Sequence, residues 1–311
     1  MARELTVTAS REVINKLISD IEDKEGLLSI SLHKEASIKP PGDILIFQVT
    51  NNTLNSFMRI LENYNIGGKD GVSLSTSEPD SVITNKPDSR IAKDGMDATW
   101  EEAEMVISKD SNMNINTLFM MAMSGVITMI GVSTSTIHVV IGGMLVAPGF
   151  MPIMRIPLGL VTKNPYWYYG IKDTFQGYFC LMLGATLTTF ILWLLDSNPL
   201  LPEEEYYQLH NPFVDYWTSI TLSSVFSSAA AVVVAVLLLA TKRTIFTSGV
   251  MVALALIPSA CLIPVCLISG EFELAGGAAL RFGIDVALIL GLSYVLFQAK
   301  QRWEHRRTIK L

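Results

Sequence analysis

Ile141-Gly-Gly-Met-Leu-Val-Ala-Pro148-Gly149-Phe-Met-Pro152-Ile-Met-Arg155-Ile-Pro157-Leu-Gly-Leu-Val-Thr-Lys-Asn164 is the stretch that decides how the chain is read. It is long enough to cross a bilayer, for which ~20 apolar residues suffice, yet it does not predict an unbroken helix. Pro148, Pro152 and Pro157 each remove a backbone donor and crowd the preceding turn, and Gly149 loosens the chain between them. In hydrocarbon a freed carbonyl must find another partner, so an interrupted segment belongs where it is buried in protein or faces a wet cavity. A lipid-facing anchor has no need of one.

The pattern occurs twice. Displaced by 107 positions, Gly142 falls on Gly249, Met144 on Met251, Val146 on Ala253 and Pro157 on Pro264, while Pro152 falls on Ser259 beside Pro258. Two interrupted apolar segments at corresponding places in two halves point to a transporter-type site at a repeat interface. The general enrichment of Gly and Pro in membrane helices is the plainer source of such a match.

Of 311 residues, 50% are hydrophobic and 17% charged, the balance of an integral membrane protein rather than a soluble enzyme. Residues 1–115 hold 12 of the 23 Lys and Arg and 19 of the 29 Asp and Glu, so an acidic soluble segment precedes the membrane part. The start alternates polar and apolar residues, and no signal peptide is expected. Cys180, Cys261 and Cys266 lie in apolar segments and the four histidines in unrelated contexts, so neither a disulfide framework nor a metal site is expected. With no nucleophile–base pair, phosphate loop or carboxylate dyad, the sequence predicts neither an enzyme nor a cofactor.

Residues 1–78 read as a small cytosolic α+β domain. Leu5, Val7 and Ala9 alternate as a strand, Ser10 stands at an N-cap, and Val13, Ile14, Leu17, Ile18 and Ile21 follow at helical spacing. Strands over Leu28–Leu32 and Ile44–Val49 flank a turn at Pro40-Pro41-Gly42-Asp43; Leu54–Leu61 is a second helix and Val72–Thr76 a fourth strand. The order βαββαβ is the ferredoxin-like split unit. That fold does not decide function, but an acidic balance without an aromatic strand pair argues against nucleic acid. A regulatory or assembly module remains. Residues 79–115 form a linker followed by an amphipathic helix, opened by a Thr99–Glu102 capping box, whose Trp100, Ala103, Met105, Val106 and Ile107 are expected on the membrane surface.

Residues 116–298 predict six spans, about 116–132, 136–161, 171–195, 216–240, 245–268 and 274–297. They fall into repeats 116–195 and 216–298, and 299–311 is a basic tail. Lys163, Lys172, Lys242, Arg243, Lys300, Arg302, Arg306, Arg307 and Lys310 all lie on one side, and the alternate loops hold only acidic charges. The positive-inside rule puts both termini in the cytoplasm and Pro202–Pro212 outside. A three-span unit repeated in tandem enters the membrane the second time from the opposite face, so the repeats are expected to be inverted, with interruptions near Pro148-Gly149 and Pro258-Ser259 facing one another.

Three ionisable side chains fall within spans, each a functional hypothesis by its rarity there. Asp285 lies mid-span with Arg281 four residues before it, either as a mutual ion pair or as a proton or cation site. Arg155 is expected to snorkel to the headgroups. Asn116, Thr221, Ser224 and Ser228 either let helices approach closely or line a polar path.

The segments Gly142–Pro148, Gly159–Thr162 and Val252–Ser259 resemble the Gly-Ala-Met-Leu-Ile-Ala-Pro, Gly-Leu-Val-Thr and Val-Ala-Leu-Ile-Pro-Pro segments of a prokaryotic membrane family known as domain of unknown function 389, the uncharacterised hydrophobic domain. The similarity covers most of residues 110–298 and departs from the pattern at Gly143 and Ser259. It implies a multi-pass protein of a prokaryotic plasma membrane and carries no activity. The expectation is a secondary transporter or channel for a small solute or ion, with Pro148, Gly149, Pro152, Pro258, Ser259, Arg281 and Asp285 on its path. The alternative is a membrane-anchored sensor or scaffold. Expected partners are membrane lipid, the solute or ion, and further copies of the chain.

Overall fold

The computed structural model describes residues 2–64, 72–77, 79, 100–165, 167–196, 209–240, 254 and 256–303. The chain forms two compact units, Met1–Thr99 with Lys310–Leu311, and Trp100–Ile309.

In the first unit, β1 (Ala2–Ala9), α1 (Arg11–Ile21), β2 (Leu27–Ile38), β3 (Pro41–Thr50), α2 (Asn51–Glu62) and β4 (Ser73–Ser77) build a sheet of order β2-β3-β1-β4. Every neighbouring pair is antiparallel. Each helix therefore joins two strands that run the same way, with an opposed strand between them. The alternation in the sequence puts Leu5, Val7 and Ala9 of β1 and Leu45, Phe47 and Val49 of β3 on one face, where Ile14 and Leu17 of α1 and Leu54 and Phe57 of α2 cover them. β2 runs on to Ile38, past the expected end, and β3 starts at Pro41 inside the expected turn. The polar stretch after His33 hides this because a bulge lies between His33 and Ser37: Glu35 takes a left-handed φ of 51° and its N–H donates to the buried Asp43 carboxylate at 2.7 Å.

The second unit is helical: α3 (Trp100–Ser111), α4 (Ile115–Ser133), α5 (Ile137–Val146), α6 (Phe150–Thr162), α7 (Trp167–Asp196), α8 (Pro212–Thr218), α9 (Leu222–Ala240), α10 (Leu256–Ile268) and α11 (Phe272–Trp303). Four of these, α4, α7, α9 and α11, are long and apolar enough to cross a membrane, and α5 with α6 make a fifth candidate bent by 45° at its break. Their outer faces present Phe119, Leu183, Leu187, Phe190, Leu237 and Leu280, side chains that find a favourable medium in lipid. The expected span 245–268 is represented by α10; the rest of it, 245–253 and 255, lies outside the described residues.

Four expectations are corrected. The break in the second span is confined to Ala147–Gly149, with Ala147 extended before Pro148 as the proline ring requires. Pro152 falls in the first turn of α6, where an N–H has no intrahelical partner, and Pro157 is carried inside the helix. α10 likewise runs unbroken through Pro258 and Ser259 and carries Pro264 inside; buried surroundings re-satisfy what a membrane proline frees. The span expected from residue 216 is instead divided at Ser219–Thr221, because Thr221 and Ser224 exchange backbone-to-hydroxyl bonds at 3.2 Å and so open a new helix. Finally, α3 does not lay its apolar side on the membrane surface. Ala103 and Ile107 are buried, α3 packs on α6, and Met105 is exposed. Thr99 lies outside the described residues.

Several helix bounds of this unit match at one offset. Displaced by 107 positions, α4 falls on Leu222–Ala240, the extent of α9; α6 falls on 257–269, against Leu256–Ile268; and α7 falls on 274–303, against Phe272–Trp303. Asn114, the N-cap of α4, falls on Thr221, and Lys163, left-handed at the end of α6, falls on Gly270, left-handed at the end of α10. Packing follows suit: α3 on α6, α6 on α7 and α4 on α7 have counterparts in α8 on α10, α10 on α11 and α9 on α11. The crossed contacts are reciprocal too, α6 against α11 and α7 against α10.

Candidate functional site

Asp285 lies near the middle of α11, a 32-residue helix, and Arg281 lies one turn before it on the same face. That face turns inward, leaving Arg281 2% and Asp285 1% exposed. The guanidinium Nε approaches the carboxylate Oδ2 at 3.6 Å, close enough for an ion pair but too long for a hydrogen bond. Arg281 Nε and Nη1 and both Asp285 oxygens make no hydrogen bond among the described residues. A buried ion pair without supporting hydrogen bonds recovers little of its desolvation penalty.

Other elements bring polar groups to the pair. From α9, the fully buried Ser228 lies beside the Asp285 carboxylate, and its hydroxyl also lacks a hydrogen bond among the described residues. From α7, the buried Tyr178 packs tilted against Phe282 of α11, ring centroids 5.0 Å apart, with its hydroxyl within electrostatic reach of Asp285 and of Cys261 in α10. The same hydroxyl donates to the Gly149 carbonyl at 3.4 Å. Gly149 therefore supplies an acceptor at the break between α5 and α6. A Cβ there would come within 3.0 Å of the Tyr178 oxygen, so only glycine fits without displacing the ring. The opened backbone of one half and the charged pair of the other thus meet through one phenol.

The remaining candidates are placed elsewhere. Buried Ser259 donates to the Trp217 carbonyl at 3.3 Å and ties α10 to α8. Pro148 is half-buried beside Gly149, while Pro152 and Pro258 are buried within their helices. Asn116 and Thr221 are exposed, and Ser224 is spent on the cap of α9. Arg155 is half-buried and does not reach outward: its Nη1 lies 3.3 Å from Asp173, 3.1 Å from Ser111 and 3.2 Å from Asn112, with the guanidinium 5.6 Å from the Tyr169 ring. The snorkelling expected for it is replaced by a counter-charge supplied from α7. No group of three His, Cys, Asp or Glu gathers among the described residues as a metal site would need.

Tyr178 was not legible as a site residue, since it sits in an apolar run. One signal would have found it: displaced by 107 positions, Tyr178 falls on Asp285. The two lie 107 positions apart, and the phenol is within electrostatic reach of the carboxylate.

The apolar outward faces, the bent span and the buried polar centre define an integral membrane protein. Residues 144–290 match the family model described as Domain of unknown function (DUF389). No curated protein and no solved structure matches the chain.

Proposed function

We propose that the chain is a secondary transporter or channel for a small solute or ion, built from two inverted three-span repeats whose junction holds the site. The observation that carries this reading is the cluster of Arg281, Asp285 and Ser228, buried in a membrane domain with hydrogen-bonding atoms left over, beside the opened backbone of Gly149. Buried polar groups without partners are rare and unfavourable, and in a membrane helix they mark ion and solute paths. The match of helix bounds at one offset supports the repeat, and an odd number of spans per half makes it inverted. The N-terminal unit reads as a ferredoxin-like βαββαβ module that regulates the membrane domain, in an assembly of several copies. One-sided basic charge supports a prokaryotic plasma membrane orientation with both termini cytoplasmic.

Cysteine accessibility tests the reading. Gly149→Cys and Ser259→Cys are introduced singly into a background lacking Cys180, Cys261 and Cys266 and exposed to a polar, membrane-impermeant thiol reagent from each side. A water-accessible path makes at least one of them reactive. If neither reacts from either side, the domain is packed dry, and a membrane-anchored sensor or scaffold replaces the transporter.

A further inference from the structure

We propose that the junction site takes a small, planar, monovalent oxyanion at Arg281, and that Asp285 takes up one proton as the anion binds, so that the two cross together. The proposal rests on the transporter reading above and specifies its cargo.

The sign of the cargo follows from the inventory of free groups. Arg281 offers unengaged donors at Nε and Nη1 of a planar guanidinium, the group whose charge-assisted bonds hold oxyanions. The hydroxyl of Ser228 adds a donor at the same place. A cation would have to turn to Asp285, with a guanidinium 3.6 Å from that carboxylate already opposing it. The fixed positive charge of the guanidinium cannot be titrated away, and it favours an anion over a cation.

The proton follows from charge balance. In the empty site Arg281 and Asp285 neutralise each other. An anion that engages the guanidinium deprives Asp285 of its counter-charge, and no other compensates it. Of the elements around it, α9 has no charged residue, and α10 contributes the thiol of Cys261. In α6 the charge of Arg155 is held by Asp173, in α8 Asp215 is exposed, and in α7 the near group is the Tyr178 phenol. A buried carboxylate so placed favours its neutral form. It therefore binds a proton from the aqueous side on which the anion enters, carboxylate and proton giving carboxylic acid with no other bond changed. Empty and loaded sites are then both neutral, the condition for either to face the two sides in turn without moving net charge through hydrocarbon. The ion pair is the empty state of the coupling site.

The test uses nitrate, which does not cross bilayers as its acid, and the full chain in vesicles loaded with a pH-sensitive dye. An inward nitrate gradient should acidify the lumen. An imposed pH gradient should drive nitrate to an accumulation of about tenfold per pH unit, the ratio that one coupled proton sustains. Asp285→Asn should pass nitrate without protons, and Arg281→Gln neither. Should both variants fail to fold, the wild-type accumulation ratio decides alone. Nitrate movement without protons, flux of potassium or sodium in place of nitrate, or no flux at all each overturns the proposal. Cation flux would leave the transporter reading standing, and in the absence of flux the reactivity of Gly149→Cys and Ser259→Cys judges that reading separately.

Discussion

Asp285→Asn is expected to lower the unfolding free energy of the detergent-solubilised protein by about 3 to 5 kcal/mol, the usual range for a broken buried ion pair. The guanidinium it strands is 2% exposed and cannot shed its proton. Arg281→Gln should be milder, because the carboxyl it leaves behind can become neutral by binding a proton. Combining the two removes both charges, and the double variant should recover most of the loss. Thermal unfolding of the three variants beside the wild type reads the pattern directly. If Asp285→Asn unfolds with the wild type, the 3.6 Å contact between Nε and Oδ2 is not an ion pair that the fold depends on.

The second large effect is steric. Where α4 crosses α7, a Cβ on Gly184 would lie 2.0 Å from the Ala122 carbonyl oxygen, and one on Gly125 would lie 2.2 Å from that of Leu181. Each helix thus puts a glycine against the other's backbone, the small-residue contact by which membrane helices pack most closely. The obstructing atoms are backbone and cannot swing aside. Gly184→Leu or Gly125→Leu should force the helices apart and cost at least about 3 kcal/mol, the upper end for overpacking. The offset of 107 positions supplies a control. Gly291, the counterpart of Gly184 in α11, would meet nothing within 4 Å, and Gly291→Ala should be neutral or stabilising by up to about 1 kcal/mol. Equal losses at positions 184 and 291 would show that the close approach does not govern the crossing.

The sequence carried more of the architecture than of the site. Alternation at Leu5, Val7 and Ala9 and helical spacing at Ile14, Leu17 and Ile21 located the soluble core, because burial on one face imposes a period that survives in the residues. The membrane segments were legible from hydropathy, yet their ends were not. The division at Ser219–Thr221 depends on hydroxyls closing a cap, and nothing separates a capping serine from a lining one until the backbone is placed. Proline misled in the other direction. Pro148 interrupts its span, whereas Pro157 and Pro264 sit inside helices, since what a proline does in a membrane depends on whether neighbours satisfy the carbonyl it frees. Arg281 and Asp285 could be paired from their spacing alone. Tyr178 could not, since its role depends on where α7 meets the other half.

The proposed site lies at the junction of two halves read as inverted repeats, and one labelling experiment tests that relation most directly. Lys163 and Gly270 lie 107 positions apart, both exposed and both left-handed at the ends of α6 and α10. In a background without Cys180, Cys261 and Cys266, an impermeant thiol reagent should label Lys163→Cys only from the cytoplasmic side and Gly270→Cys only from the opposite side. Labelling of both positions from the same side would contradict the inverted repeat and the junction built on it.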